Sequence, residues 1–201
     1  MKTTSREKLR SIAEEREVPY LLHFTQASNL PEIVKHGLLS RDKLAGQEYM
    51  ARASDYYRLD GRGDAISVSI SRVSSLFEVK RPKSGHTDWV ILVLSSHILW
   101  THDCLFSWRN PAKKDIRDHR GWRGGPWAFT EMFVASNEAR DGVARCEPTD
   151  LEAEVQVLEP IAPDCILGAF VERPKMVEPV QAVLECLPGK KRPVFVNVHA
   201  F

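Results

Sequence analysis

Between Asp88 and Ser95 the chain runs Trp-Val-Ile-Leu-Val-Leu without a polar residue. The run is far shorter than the ~20 apolar residues that cross a bilayer. It also lacks the alternation of a strand with one wet face, so it reads as a central strand covered on both faces. Everything else has to be arranged around that strand. Weaker strand patterns lie at Tyr20–Thr25, Ala65–Ser71, Ala153–Leu158, near Leu167–Val171 and at Val194–Val198. Helical patterns accompany them. Thr4–Arg16 is amphipathic through Leu9, Ile12 and Ala13. A short helix starts from Ser28 or Asn29, carries Pro31 in its first turn and stops at Gly37. Two more are expected, at Trp127–Val134, packing through Phe129, Met132 and Phe133, and at about Lys175–Leu187, followed by a hairpin-like turn at Pro188–Arg192. The expected class is α+β, with mixed sheets and peripheral helices. The 201 residues suit one domain, 1–201, which at this size buries ~70% of its extended surface.

Charge narrows the partners. Lys plus Arg number 28 against 27 for Asp plus Glu, a formal charge of +1, so any footprint for nucleic acid has to be local. The cysteines, Cys104, Cys146, Cys165 and Cys186, form no Cys-x-x-Cys pair, and the amino terminus is charged rather than apolar. A reduced, cytoplasmic protein without a membrane segment is expected. His97, His102 and Cys104 are metal-ligand types, but no partner pair at ligand spacing follows them. The expectation is no metal, and a turn between strands.

Two stretches carry chemistry. In Ala153–Leu158, Ala153, Val155 and Val157 point to one face, and Glu154, Gln156 and Leu158 to the other, which sets a carboxylate in mid-strand. Glu152 shares its face ~7 Å away. Two readings are open here: a catalytic acid, or an edge strand kept from aggregating by its charges. Pro160 and Pro163 close the strand. Upstream, His23-Phe24-Thr25 ends a strand just before the capped helix, with His23 and Thr25 on one face and Phe24 on the other. The bland reading of His23 is a ring satisfied by a backbone carbonyl.

Taken together, His23-Phe24-Thr25, Asn29-Leu30-Pro31, His36-Gly37-Leu38-Leu39-Ser40, Arg58-Leu59-Asp60-Gly61 and Ala153-Glu154-Val155 with Pro160-Ile161 resemble the NAD-consuming ADP-ribosyltransferase fold. Within it they resemble the DarT family of toxins, which ADP-ribosylate bases in single-stranded DNA. The likeness runs from about Tyr20 to Ile166. It implies sheets that form an NAD cleft, with Glu154 as the catalytic acid and His23 holding a ribose of NAD. It assigns Phe24, Thr25, Asn29, Gly37, Leu38, Arg58 and Ser67 to the NAD pocket as well. Arg58, in the polar stretch from Ser40 to Ala65, is the candidate for pairing phosphates, a task suited to a planar fork of donors. The alternative for Arg58 is an ion pair with Asp55 or Asp60. Ser67, with Ser69 and Ser71 on one strand face, is similar to the serine-rich strand that braces the nicotinamide pocket in other members of the fold. Glu152 stands where some protein-directed members carry a second acid.

The candidate surface for the acceptor is Trp108–Trp127, where Arg109, Lys113, Lys114, Arg117, Arg120 and Arg123 interleave with Trp108, Trp122 and Trp127. Cations track phosphates while aromatic faces stack on unpaired bases at ~1–3 kcal/mol per base. A solvated basic loop anchored by its tryptophans is the other reading. In this fold the loop before the glutamate strand selects the acceptor, which makes Arg140 and Arg145 candidates by resemblance. The chemistry this implies is transfer of ADP-ribose from NAD to a base of single-stranded DNA, or of RNA, by a toxin with a macrodomain-type antitoxin or a role in phage defence. An NAD-dependent RNA 2′-phosphotransferase and a non-catalytic single-strand-binding module remain as alternatives.

Overall fold

The structure is a computed structural model that describes residues 3–45, 61–83, 85, 87–117, 123–134 and 140–200. Its strands are β1 Tyr20–Gln26, β2 Ile66–Ile70, β3 Trp89–Ser95, β4 Cys104–Ser107, β5 Glu154–Val157, β6 Ile166–Val171 and β7 Val194–Val196. Its helices are α1 Thr3–Glu15, α2 Leu30–His36, α3 Arg41–Leu44, α4 Ser75–Lys83, α5 Ile98–Thr101, α6 Lys114–Arg117, α7 Gly125–Glu131 and α8 Val177–Leu184. The strands lie in the order β4-β5-β2-β1-β3-β6-β7, antiparallel throughout except for the β6–β7 pair. The apolar run is β3, near the middle of this sheet, with Trp89 through Leu92 and Leu94 buried.

Both faces of β3 are covered, as its composition requires. On one side a large core joins Val90, Leu92 and Leu94 to Leu9 and Ala13 of α1, Leu30 and Ile33 of α2, Ala128 and Phe129 of α7, and Val180 and Leu184 of α8. On the other, Leu22, Trp89 and Ile91 meet Phe77 of α4, with Phe24 and Phe170 packed alongside. The ring centroids of Phe24 and Phe77 are 4.5 Å apart, and Trp89 stands edge-on to Phe77 at 5.4 Å.

Four expectations change. β5 is an interior strand between β4 and β2, so the edge-strand reading of its acids fails. Asn29 stands at the start of α2 without a side-chain cap bond; its amide donates to Thr25 Oγ1 at 3.1 Å instead. The segment around His97 and His102 is a helical turn, α5, and not a simple turn. Pro188–Arg192 is no hairpin, because β7 runs parallel to β6 and the turn only returns the chain from α8. Arg192 is buried there, its guanidinium donating to the carbonyls of Ile166 (2.8 Å), Leu187 (3.4 Å), Pro188 (3.2 Å) and Lys190 (2.9 Å).

Candidate active site

The site lies where the sheet parts. β1 pairs with β3 along its whole length, from Tyr20↔Ser95 to Gln26↔Trp89, but with β2 only at Leu21↔Ile70 and Leu22↔Ser69. His23 is the first residue past the last β1–β2 pair. Its Nδ1 is 2.9 Å from the Ser67 carbonyl oxygen. A carbonyl only accepts, so Nδ1 carries the hydrogen, and in the neutral ring Nε2 is the acceptor atom. The bland reading of this histidine is therefore half correct: one nitrogen is satisfied by backbone, and that bond fixes which nitrogen can receive a hydroxyl.

Ser67 has a second role through its side chain. The hydroxyl donates to Glu154 Oε1 at 2.7 Å. Glu154 opens β5 and is half-buried, paired with Ser107 on the β4 side, while Val155 next to it pairs with Val68 on the β2 side. One serine thus joins the two lips of the split, taking the His23 ring on its carbonyl and orienting the Glu154 carboxylate with its hydroxyl. Ser107, fully buried beside Glu154, accepts a bond from Arg123 Nη1 at 2.8 Å. β4, four residues long, has no pattern of its own in the sequence, so Arg123, named above only as a cation of the basic segment, could not be placed against Ser107.

The remaining candidates fall into three groups. Near the split, Thr25 is buried and bonded by Asn29, and Phe24 belongs to the aromatic cluster under α4. Gly37 adopts φ +80°, and a Cβ there would run into the carbonyl oxygen of Ile161. Leu38 exchanges both backbone bonds with Ile161, at 2.9 and 3.0 Å, pinning the end of α2 to the segment after β5. Of the candidates for the acceptor, Trp108 is half-buried and Arg109 donates to Asp115 at 3.0 Å, while Trp127 in the same segment is 58% exposed. Arg140 spends its donors on its own loop, on Thr149 Oγ1 at 2.6 Å and the carbonyls of Ala144 and Glu147 at 3.1 Å. Arg145 is an exposed partner of Glu15 at 3.6 Å. Arg58, Arg120 and Trp122 lie outside the described residues.

Glu152 precedes β5 and forms an ion pair with Lys113. Cys104 is buried with its thiol on the Ile98 carbonyl at 3.6 Å, and burial pushes its pKa up, which disfavours the thiolate a metal needs. Among the described residues no group of His, Cys, Asp or Glu could hold a metal ion, and no helix is long and apolar enough to cross a membrane.

The seven-stranded mixed sheet with its covering helices is the architecture of the ADP-ribosyltransferase fold, and solved structures bear out that fold. The DarT of Thermus sp. 2.9, solved with carba-NAD+, superposes with a TM-score of 0.65 at 16% identity, covering 92% of this chain and 98% of that one. The same protein with ADP-ribosylated ssDNA gives 0.65 at 17% identity, covering 92% and 97%. Thermosipho africanus DarTG with ADP-ribose gives 0.61 at 15%, covering 91% of this chain and 51% of that one. The chain belongs to the DarT family: the model for "ssDNA thymidine ADP-ribosyltransferase, DarT" matches residues 22–201. Comparison with curated proteins gives no match.

Proposed function

We propose that this chain transfers ADP-ribose from NAD to the base of thymidine in single-stranded DNA, with Glu154 as its catalytic carboxylate and His23 holding the NAD. The observation that carries the reading is the Ser67 bridge, which holds the His23 ring and the Glu154 carboxylate on opposite sides of one split in the sheet. Breaking the nicotinamide–ribose bond leaves the sugar with oxocarbenium-like positive charge. A carboxylate already oriented by Ser67 stabilises that charge without having to reorganise. Its other oxygen is the natural partner for a ribose hydroxyl, and His23 Nε2 is the natural acceptor for another. Thymine has one ring nitrogen not tied to deoxyribose. That nitrogen forms the new bond to the sugar carbon as nicotinamide leaves, and its hydrogen passes to Glu154 as general base. In a duplex this nitrogen is hidden by pairing, so an unpaired strand is the accessible acceptor.

For the rest of the site, Thr25, Asn29, Gly37 and Leu38 shape the NAD pocket from the α2 side, and Arg58 pairs the phosphates. Trp108, Arg120 and Trp122 are the candidates for the strand, with exposed Trp127 as a further stacking face. Arg140 serves the acceptor by folding the loop that precedes Glu154. The likeness to a DarTG chain supports a toxin countered by a macrodomain-type antitoxin, acting in the cytoplasm where NAD and DNA are both present. The test supplies NAD labelled in its adenylate phosphate with single-stranded DNA, single-stranded RNA, duplex DNA or total protein. Label on single-stranded DNA alone upholds the proposal; label on RNA or protein, or none, rejects it.

A further inference from the structure

The loop that enters β5 carries three acids, each paired with a cation from elsewhere in the chain. Glu147 Oε2 is 3.3 Å from Nη1 of Arg72, just past β2. Asp150 Oδ2 is 3.8 Å from Nε of Arg109, and Glu152 pairs with Nζ of Lys113. Arg109 and Lys113 belong to the segment that follows β4. The backbone ladder between β4 and β5 ends at Ser107↔Glu154, and beyond it these two pairs are contacts between the segments among the described residues, with Arg109 also bonded to Asp115 at 3.0 Å. The Asp150 carboxylate is itself oriented, its Oδ1 accepting the Glu152 backbone N–H at 2.8 Å.

We propose that Arg109 and Lys113 are positioning residues that act through Asp150 and Glu152. The two ion pairs strap the basic segment to the loop that leads into Glu154, and so set the surface that receives the DNA strand in place beside the catalytic acid. The inference rests on the DNA-transferase reading above. Half-exposed pairs of this kind add little to global stability, so breaking them leaves the fold intact and loosens the loop. They are also screened by salt, which makes acceptor binding more salt-sensitive than its phosphate contacts alone require. Glu152, held by Lys113, is an anchor and not a second acid for the acceptor.

The test uses the full chain with Lys113→Glu, Glu152→Lys and the double exchange. It measures kcat and KM for a thymidine-containing single strand, and amide hydrogen exchange of residues 147–153 in the protein alone. The strap requires that each single variant raise the acceptor KM roughly fivefold and speed exchange in that loop, and that the double exchange restore both to within about twofold. Glu152→Lys is the discriminating arm, because a new cation acting only on phosphates would lower KM. A Lys113→Glu defect that the exchange does not rescue, with loop exchange unchanged, overturns the proposal in favour of direct phosphate contact. A fall in kcat with unchanged KM in Glu152→Gln overturns it in favour of an acid in the chemistry. Should the wild-type protein label no DNA, the transferase reading fails, and the loop-exchange data still decide whether the strap exists.

Discussion

Removing one hydroxyl tests how the site is built. Ser67→Ala deletes the donor that sits 2.7 Å from Glu154 Oε1 and leaves the Ser67 carbonyl, and with it the His23 bond, in place. A hydrogen bond to a charged group is worth ~1.5–3 kcal/mol. Ser67 and Glu154 are only half-buried, so water recovers part of that. A loss of ~1–2 kcal/mol in transition-state stabilisation follows, or ~5–30-fold in kcat/KM. The carboxylate is needed most when positive charge appears on the sugar, so the loss falls on kcat rather than on KM for NAD. Steady-state kinetics with saturating single-stranded acceptor separates the two. Ser67→Thr, which keeps a hydroxyl in a strand position suited to threonine, should retain most of the rate. A Ser67→Ala protein with wild-type kcat, or one whose only defect is KM for NAD, would refute the claim that Ser67 orients the acid.

Three further predictions concern stability. Gly37→Ala places a Cβ against the Ile161 carbonyl at φ +80°, costing ~1–3 kcal/mol and lowering Tm by roughly 3–10 °C in a thermal melt. Arg192→Leu strips four carbonyls of their common donor; a cost of ~2–4 kcal/mol, or about 5–12 °C in Tm, is expected, and Arg192→Lys should not rescue it because an ammonium cannot span the same acceptors. Burial raises the Cys104 pKa above its ordinary 9.0, so the folded protein keeps a proton that the unfolded chain loses. Its contribution is complete below the unfolded value and declines above it by ~1.4 kcal/mol per pH unit. Urea unfolding between about pH 8 and about pH 10 should show that alkaline slope, and Cys104→Ala should flatten it by one proton's worth.

The features legible in the sequence were those with a strong local pattern. The apolar run at Trp89–Leu94 announced a central strand, Gly37 the stop of α2, and alternation in Ile66–Ile70 put Ser67 on the opposite face from Val68. Glu154 was visible as a carboxylate within a strand pattern, although it opens β5 rather than standing in mid-strand, and resemblance gave it a role. What was not legible depends on pairing between distant segments. β4 is four residues long, too short to stand out by period. Only the partners of β5 show that it is interior. The two-pair limit of the β1–β2 ladder, which makes the split, has no signature in either strand alone. Arg140 reads as an acceptor candidate and Arg192 as a cation of a solvated turn; the carbonyls they bond come together only when the loops fold.

The most direct test of the central claim is the mass of a single-stranded oligonucleotide carrying one thymidine, after incubation with the protein and NAD. The account predicts a gain of one ADP-ribose, absent when that thymidine is replaced by deoxycytidine and reduced to background by Glu154→Gln in a protein that still melts like wild type. An unmodified oligonucleotide, a gain that survives loss of the thymidine, or full activity in Glu154→Gln would contradict it.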